Sequence, residues 1–131
     1  MAPAGARREA RERALELLYE SYAKGLSPSD VISGLVIAPD EYAEAAVRGV
    51  EARAGEIDGL ISTYAKGWTI DRMPVMDRTL LRIAVWELVA RSEVPVAVVI
   101  SEAVELAKRF STEESGRFVN GLLAAVALSV R

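Results

Sequence analysis

Residues Pro74 to Val89 read PVMDRTLLRIAVWELV, and their pattern decides the fold class. Met76, Leu80, Ile83, Ala84 and Leu88 recur at helical spacing on one side, while Leu81, Val85 and Val89 fill a second strip. A helix apolar over so much of its girth belongs in the middle of a domain, with other elements wrapped around it. Arg82 and Glu87 interrupt the apolar run, so the segment does not qualify as a bilayer span.

The segments on either side are helical too. Downstream, Val94 to Ile100 is rich in β-branched residues. Val96, Val99, Ala103, Leu106, Ala107 and Phe110 nevertheless keep helical spacing, so a helix opening at Pro95 is expected. Ser111 with Glu114 three residues later forms a capping-box signature for a last helix carrying Phe118, Leu122, Val126 and Val130. Upstream, Ala14, Leu15, Leu18 and Tyr22 place a first helix over Pro3 to Tyr22, stopped by Gly25 and Ser27-Pro28. Ser27 to Asp30 caps a short helix ending near Gly34. Pro39 to Lys66 predicts one bent helix, with Gly49, Gly55 and Gly59 weakening it or admitting close neighbours. There is no internal repeat. The expected fold is all-α: a compact single-domain bundle of about six to seven helices spanning residues 1–131.

Composition narrows the function. The 131 residues are 51% hydrophobic and 27% charged, a globular balance with enough apolar material for a core. Cysteine and histidine are both absent, which removes thiol nucleophiles, thiolate metal sites and the commonest general base. No phosphate-cradling glycine loop is present. Glu102 with Glu105, and Glu113 with Glu114, are carboxylate pairs by spacing, but acids on solvent faces and near helix starts are ordinary. No catalytic residue, metal or cofactor is expected. Met1 to Ala6 lacks the apolar stretch of a secretory signal, so a cytoplasmic protein that does not enter a membrane is expected.

The net charge of −3 conceals an uneven distribution. Five bases face four acids in Met1 to Lys24, and five face three in Lys66 to Arg91. At 100° per residue, Arg7 and Arg11 fall beside Leu18 and Arg8 beside Tyr19, while Glu9, Glu12, Glu16 and Glu20 gather on the opposite side. Arginines at a helix N-terminus oppose its dipole, which argues for a functional reason to keep them there. Trp68, beside a glycine and before Ile70, reads as a core wedge rather than a stacking residue. Trp86 lies off the main stripe and fits a partner-binding surface as well as a core edge. Asp71, Arg72, Asp77 and Arg78 either cap the central helix or rim an interface.

Three blocks resemble the NusB family of bacterial transcription antitermination factors. They are RREARERALELLY from Arg7 to Tyr19, WTIDRMPVMDRTLLRIAVWEL from Trp68 to Leu88, and VPVAVVISEAVELAKRFSTEESGRFVNGLL from Val94 to Leu123. The resemblance implies an RNA-binding adaptor. It would bind the single-stranded boxA element of nascent ribosomal RNA together with NusE, a ribosomal small-subunit protein, within the RNA polymerase antitermination complex. Carried over by motif, the RNA-binding residues would be Arg7, Arg8, Arg11 and Tyr19, with a second patch at Glu114, Ser115, Arg117 and Phe118. The NusE-facing surface would include Asp77 and Arg78, with Trp86 as a further partner-binding candidate. Glu9 interrupts the arginine run, Ser101 stands where asparagine is usual, and the sequence ends at Arg131 without a basic tail; all three lower the expected RNA affinity. Three arginines on three phosphates of a single strand give a log–log salt slope near about −2. Two other readings compete with the adaptor: a protein-only scaffold or homodimer joined through Trp86, and the RNA-binding half of a ribosomal RNA methyltransferase relative.

Overall fold

The computed structural model describes residues 4–131 and contains seven α-helices and no strand among them. They are α1 (Ala4–Lys24), α2 (Pro28–Ser33), α3 (Glu41–Ala52), α4 (Ala54–Tyr64), α5 (Val75–Ala90), α6 (Val96–Phe110) and α7 (Glu113–Val130). One turn of 3-10 helix, Ile70–Arg72, precedes α5. The all-α expectation is borne out, although the start foreseen at Pro3 lies outside the described residues.

The central role expected of Pro74 to Val89 holds. Helix α5 touches α1, α3, α4, α6 and α7, and buries Leu80, Leu81, Ile83, Ala84, Val85, Trp86 and Leu88 in one cluster with Leu17, Val47, Ile57, Ile61, Leu106 and Leu123. Side chains satisfy the orphan donors at several helix starts. Ser27 Oγ accepts from Asp30 N at 3.0 Å, and Asp40 Oδ1 accepts from Tyr42 N at 2.8 Å. At the other end of α5, the Arg131 guanidinium donates to the carbonyls of Glu87, Leu88, Arg91 and Val94 at 2.8–3.2 Å, which ties the chain's last residue to the end of α5 and the turn that follows it.

Two local expectations change. The predicted bent helix from Pro39 to Lys66 is two helices that meet at Arg53 (φ −112°, ψ 25°), not at a glycine. Gly49 has a different purpose: a Cβ there would sit 1.9 Å from Trp86 Nε1, so its hydrogen lets the indole lie against the α3 backbone. Helix α7 is capped by Thr112 rather than Ser111, with Thr112 Oγ1 accepting from Ser115 N at 3.0 Å. The capping box named the right turn but placed the cap one residue early.

Candidate nucleic-acid interface

The leading end of α1 carries Arg7, Arg8 and Arg11, and each meets a carboxylate from another part of the chain. Arg11 forms a forked pair with Glu87 of α5: Nε and Nη2 each donate at 2.9 Å. Only 3% of Arg11 is exposed. Burial opposes its charge, but the Glu87 hydrogen bonds and charge outweigh it and raise the Arg11 pKa. Arg8 pairs in the same forked manner with Glu102 of α6 at 2.9–3.1 Å. Its side chain is 58% exposed whereas that of Glu102 is 10% exposed. The Glu102 hydrogen bond, with its charge, raises the Arg8 pKa.

Arg7 is held more loosely. Its nearest carboxylate is Glu93, 3.8 Å away, and its buried Nε finds no hydrogen-bond partner among the described residues. Its guanidinium lies 4.6 Å from the centroid of the Tyr42 ring, and that of Arg91 lies 4.8 Å away. Glu93 also accepts from Arg91 Nε at 2.8 Å; a hydrogen bond from its own backbone, together with Arg91, lowers its pKa. The Tyr42 hydroxyl donates to Glu87 at 2.6 Å. Burial first, and the Glu87 charge next, push the Tyr42 pKa far upward, so the phenol stays protonated. This pole therefore combines a partly exposed guanidinium held by Glu102 (Arg8) with two that lie over the Tyr42 ring of the Arg11–Glu87–Tyr42 cluster (Arg7 and Arg91).

The second predicted patch, at the start of α7, divides between surface and interior. Glu114 and Arg117 are exposed and Phe118 is half-buried. Ser115 is buried and donates from Oγ to Asp77 Oδ2 at 2.8 Å, tying the start of α7 to the start of α5. Asp77 is 1% exposed, so its charge lies where two helix N-termini converge. Trp68 stands beside Phe118, with ring centroids 5.1 Å apart and an interplanar angle of 81°. Tyr19 and Tyr22 are exposed on α1, and Arg78 lies over Tyr22 at 5.0 Å. Arg78 and Tyr22 line a cavity of about 440 Å³ with Leu18, Leu26, Ile57 and Arg82.

Several expectations need correction. Arg11 is not free to meet a phosphate, because the fold buries it against Glu87. Asp77 and Trp86 are not surface groups: Trp86 is 4% exposed, packed edge-on to Tyr42 at 5.6 Å and under Gly49. The scaffold reading loses the exposed tryptophan it relied on. Ser115 is internal, and Trp68, read as a core wedge, is 41% exposed. Sequence reasoning missed Glu87, Tyr42 and Arg91 as parts of the site, and it took Glu102 for an ordinary acid, whereas Glu102 is buried against Arg8. The wheel placed the acids of α1 away from Arg7, Arg8 and Arg11, but the carboxylates that answer Arg11 and Arg8 lie 76 and 94 residues further along the chain.

The NusB family model matches residues 8–128. The chain belongs to the NusB family. The transcription antitermination protein NusB of Kineococcus radiotolerans is 49% identical over 126 residues, covering 93% of each chain. That of Salinispora tropica is 50% identical over 129 residues, covering 93% of this chain and 95% of its own. Among solved structures, Thermotoga maritima NusB superposes with a TM-score of 0.84 at 32% identity, covering 97% of this chain and 92% of its own. A chain from a crystal structure of the antitermination factors NusB and NusE in complex with double-stranded RNA superposes with a TM-score of 0.79 at 30% identity. That match covers 94% of this chain and 96% of the other. No helix among the described residues is long and apolar enough to cross a membrane, and no cluster of metal-ligating side chains occurs among them.

Proposed function

We propose that this NusB-family chain is an RNA-binding transcription antitermination factor. With NusE, it binds the boxA element of nascent ribosomal RNA and promotes processive transcription by RNA polymerase, acting in the cytoplasm and without catalysis of its own. The observation that carries this reading is the match, over almost the whole chain, to NusB bound with NusE and RNA. The arginine pole supports it physically, because the outward Arg8 guanidinium, 58% exposed, suits phosphate oxygens, with the less exposed Arg7 beside it.

Arg7 and Arg8 take the phosphate role, and Arg11 acts beneath them by fixing the first helix to α5. Tyr19 and Phe118 offer ring faces to unstacked bases. Arg117 adds a further cation. Glu114 cannot serve a phosphate, but its carboxylate can accept from the exocyclic amino group of a base. Arg78, on the rim of the cavity beside Tyr22, is the group best placed to meet NusE. Asp77 and Ser115 support that region from inside.

Fluorescence anisotropy with a short boxA-like RNA and a scrambled control, each with and without NusE, tests the reading. Preference for boxA that strengthens when NusE is added is the expected result. Equal, salt-insensitive signals for both RNAs would remove it.

A further inference from the structure

Trp68 follows Gly67, whose φ of 77° holds the turn after α4 in the left-handed region, and the turn leaves the indole 41% exposed. The indole therefore presents part of a broad flat face to solvent, as Tyr19, Tyr22 and Phe110 do with their smaller rings. Its neighbour Phe118 meets it at 81°, so the two rings form a corner of perpendicular walls. A flat heterocycle fits such a corner with its face on one ring and its edge toward the other. Exposed Lys66 and Arg72 flank Trp68 on its own segment, and exposed Arg117 adjoins Phe118. The acids nearby in sequence are Asp71, Glu113 and Glu114, all exposed. Charge here is mixed, so the patch does not recommend itself as a pure phosphate track. Aromatic walls with carboxylates close by in sequence instead match the needs of one unpaired base bearing an amino group.

Resting on the function proposed above, we infer that Trp68 and Phe118 form a stacking slot for a single unpaired base of the bound RNA. The slot is continuous with Arg117 and Glu114 at the start of α7. The Asp77–Ser115 hydrogen bond holds that helix start in register with α5, and so keeps Phe118 at its distance from Trp68.

The two tryptophans make the test specific, since Trp86 is interior and only Trp68 can touch a ligand. The full chain is titrated with a short single-stranded boxA-like RNA while indole emission and RNA anisotropy are followed together. Wild type and Trp86→Phe should both lose emission as RNA binds. Trp68→Phe should lose the quench while retaining more affinity than Trp68→Ala. Trp68→Ala should bind between about fivefold and about a hundredfold more weakly, the range for one stacked base. Its urea midpoint should stay near wild type, which separates lost stacking from lost folding. Binding of wild type with no quench, or Trp68→Ala binding as tightly as wild type, overturns the slot and leaves the proposed function standing. An emission change on adding NusE but not RNA also overturns it, and assigns Trp68 to a protein contact. No RNA binding by wild type, alone or with NusE, overturns both.

Discussion

Removing one member of the Arg11–Glu87 pair should destabilise the bundle far more than the length of its hydrogen bonds implies. Arg11 is 3% exposed and the Glu87 side chain 2%, and the pair is joined by forked hydrogen bonds with Tyr42 adding a third donor. Arg11→Met leaves the Glu87 carboxylate buried with only the phenol for company. The cost expected for such an orphaned charge is about 3–5 kcal/mol. For a chain of this size that corresponds to a melting temperature lower by about 10–20 °C. Arg13–Glu16 supplies the contrast: its separation is 3.0 Å, but both side chains are exposed, and Arg13→Ala should cost less than about 1 kcal/mol. A triple replacement, Arg11→Met with Glu87→Leu and Tyr42→Phe, removes the whole polar cluster and should return stability to within about 1 kcal/mol of wild type or above it. Urea unfolding of the four proteins is the assay. An Arg11→Met cost below about 1 kcal/mol would refute the claim that this arginine is an interior structural group.

Three other perturbations follow from the same geometry. Gly49→Ala drives a methyl into the Trp86 indole and should cost about 1–3 kcal/mol, with an altered near-ultraviolet circular dichroism band from the displaced ring. Tyr42 has a raised folded-state pKa, so its contribution is complete below the ordinary phenol value of about 10 and declines as pH rises above it toward the folded value. Wild type should therefore lose stability between pH 10 and pH 11 more steeply than Tyr42→Phe, by at most about 1.4 kcal/mol per pH unit, as read by urea unfolding. Asp77→Ala removes the acceptor of the Ser115 hydroxyl and a negative charge at two helix starts, which should cost about 2 kcal/mol. Hydrogen exchange should quicken in the first turn of α7 before it does elsewhere.

Periodicity carried the fold because burial follows a helical repeat wherever one face is apolar, and α5, α6 and α7 each show theirs in the sequence. The break at Arg53 was hidden because no proline or cap side chain marks it; backbone hydrogen bonds run almost through it, from Arg53 N to Gly49 O and from Ile57 N to Arg53 O. The candidate site was legible as a set of arginines but not as a surface. A helical wheel reports which side of its own helix a residue occupies, and says nothing of a Glu87 or Glu102 brought to it from elsewhere in the fold. The same limit reversed the two tryptophans. Trp86 sits between Arg82 and Glu87 in sequence, yet Gly49 gives its ring a place inside; Trp68 stands two residues before Ile70, yet it follows the left-handed turn at Gly67 and is left exposed.

The salt dependence of boxA-like RNA binding tests the central claim most directly. With Arg7, Arg8 and Arg117 each meeting one phosphate, the log–log slope for wild type should be about −2, and Arg7→Ala/Arg8→Ala should reduce its magnitude by about 1.4. Arg11→Lys, which keeps a buried cation near Glu87, should leave the slope where it was. An unchanged slope in Arg7→Ala/Arg8→Ala, or a slope that responds to Arg11→Lys instead, would contradict the placement of the RNA backbone at this pole.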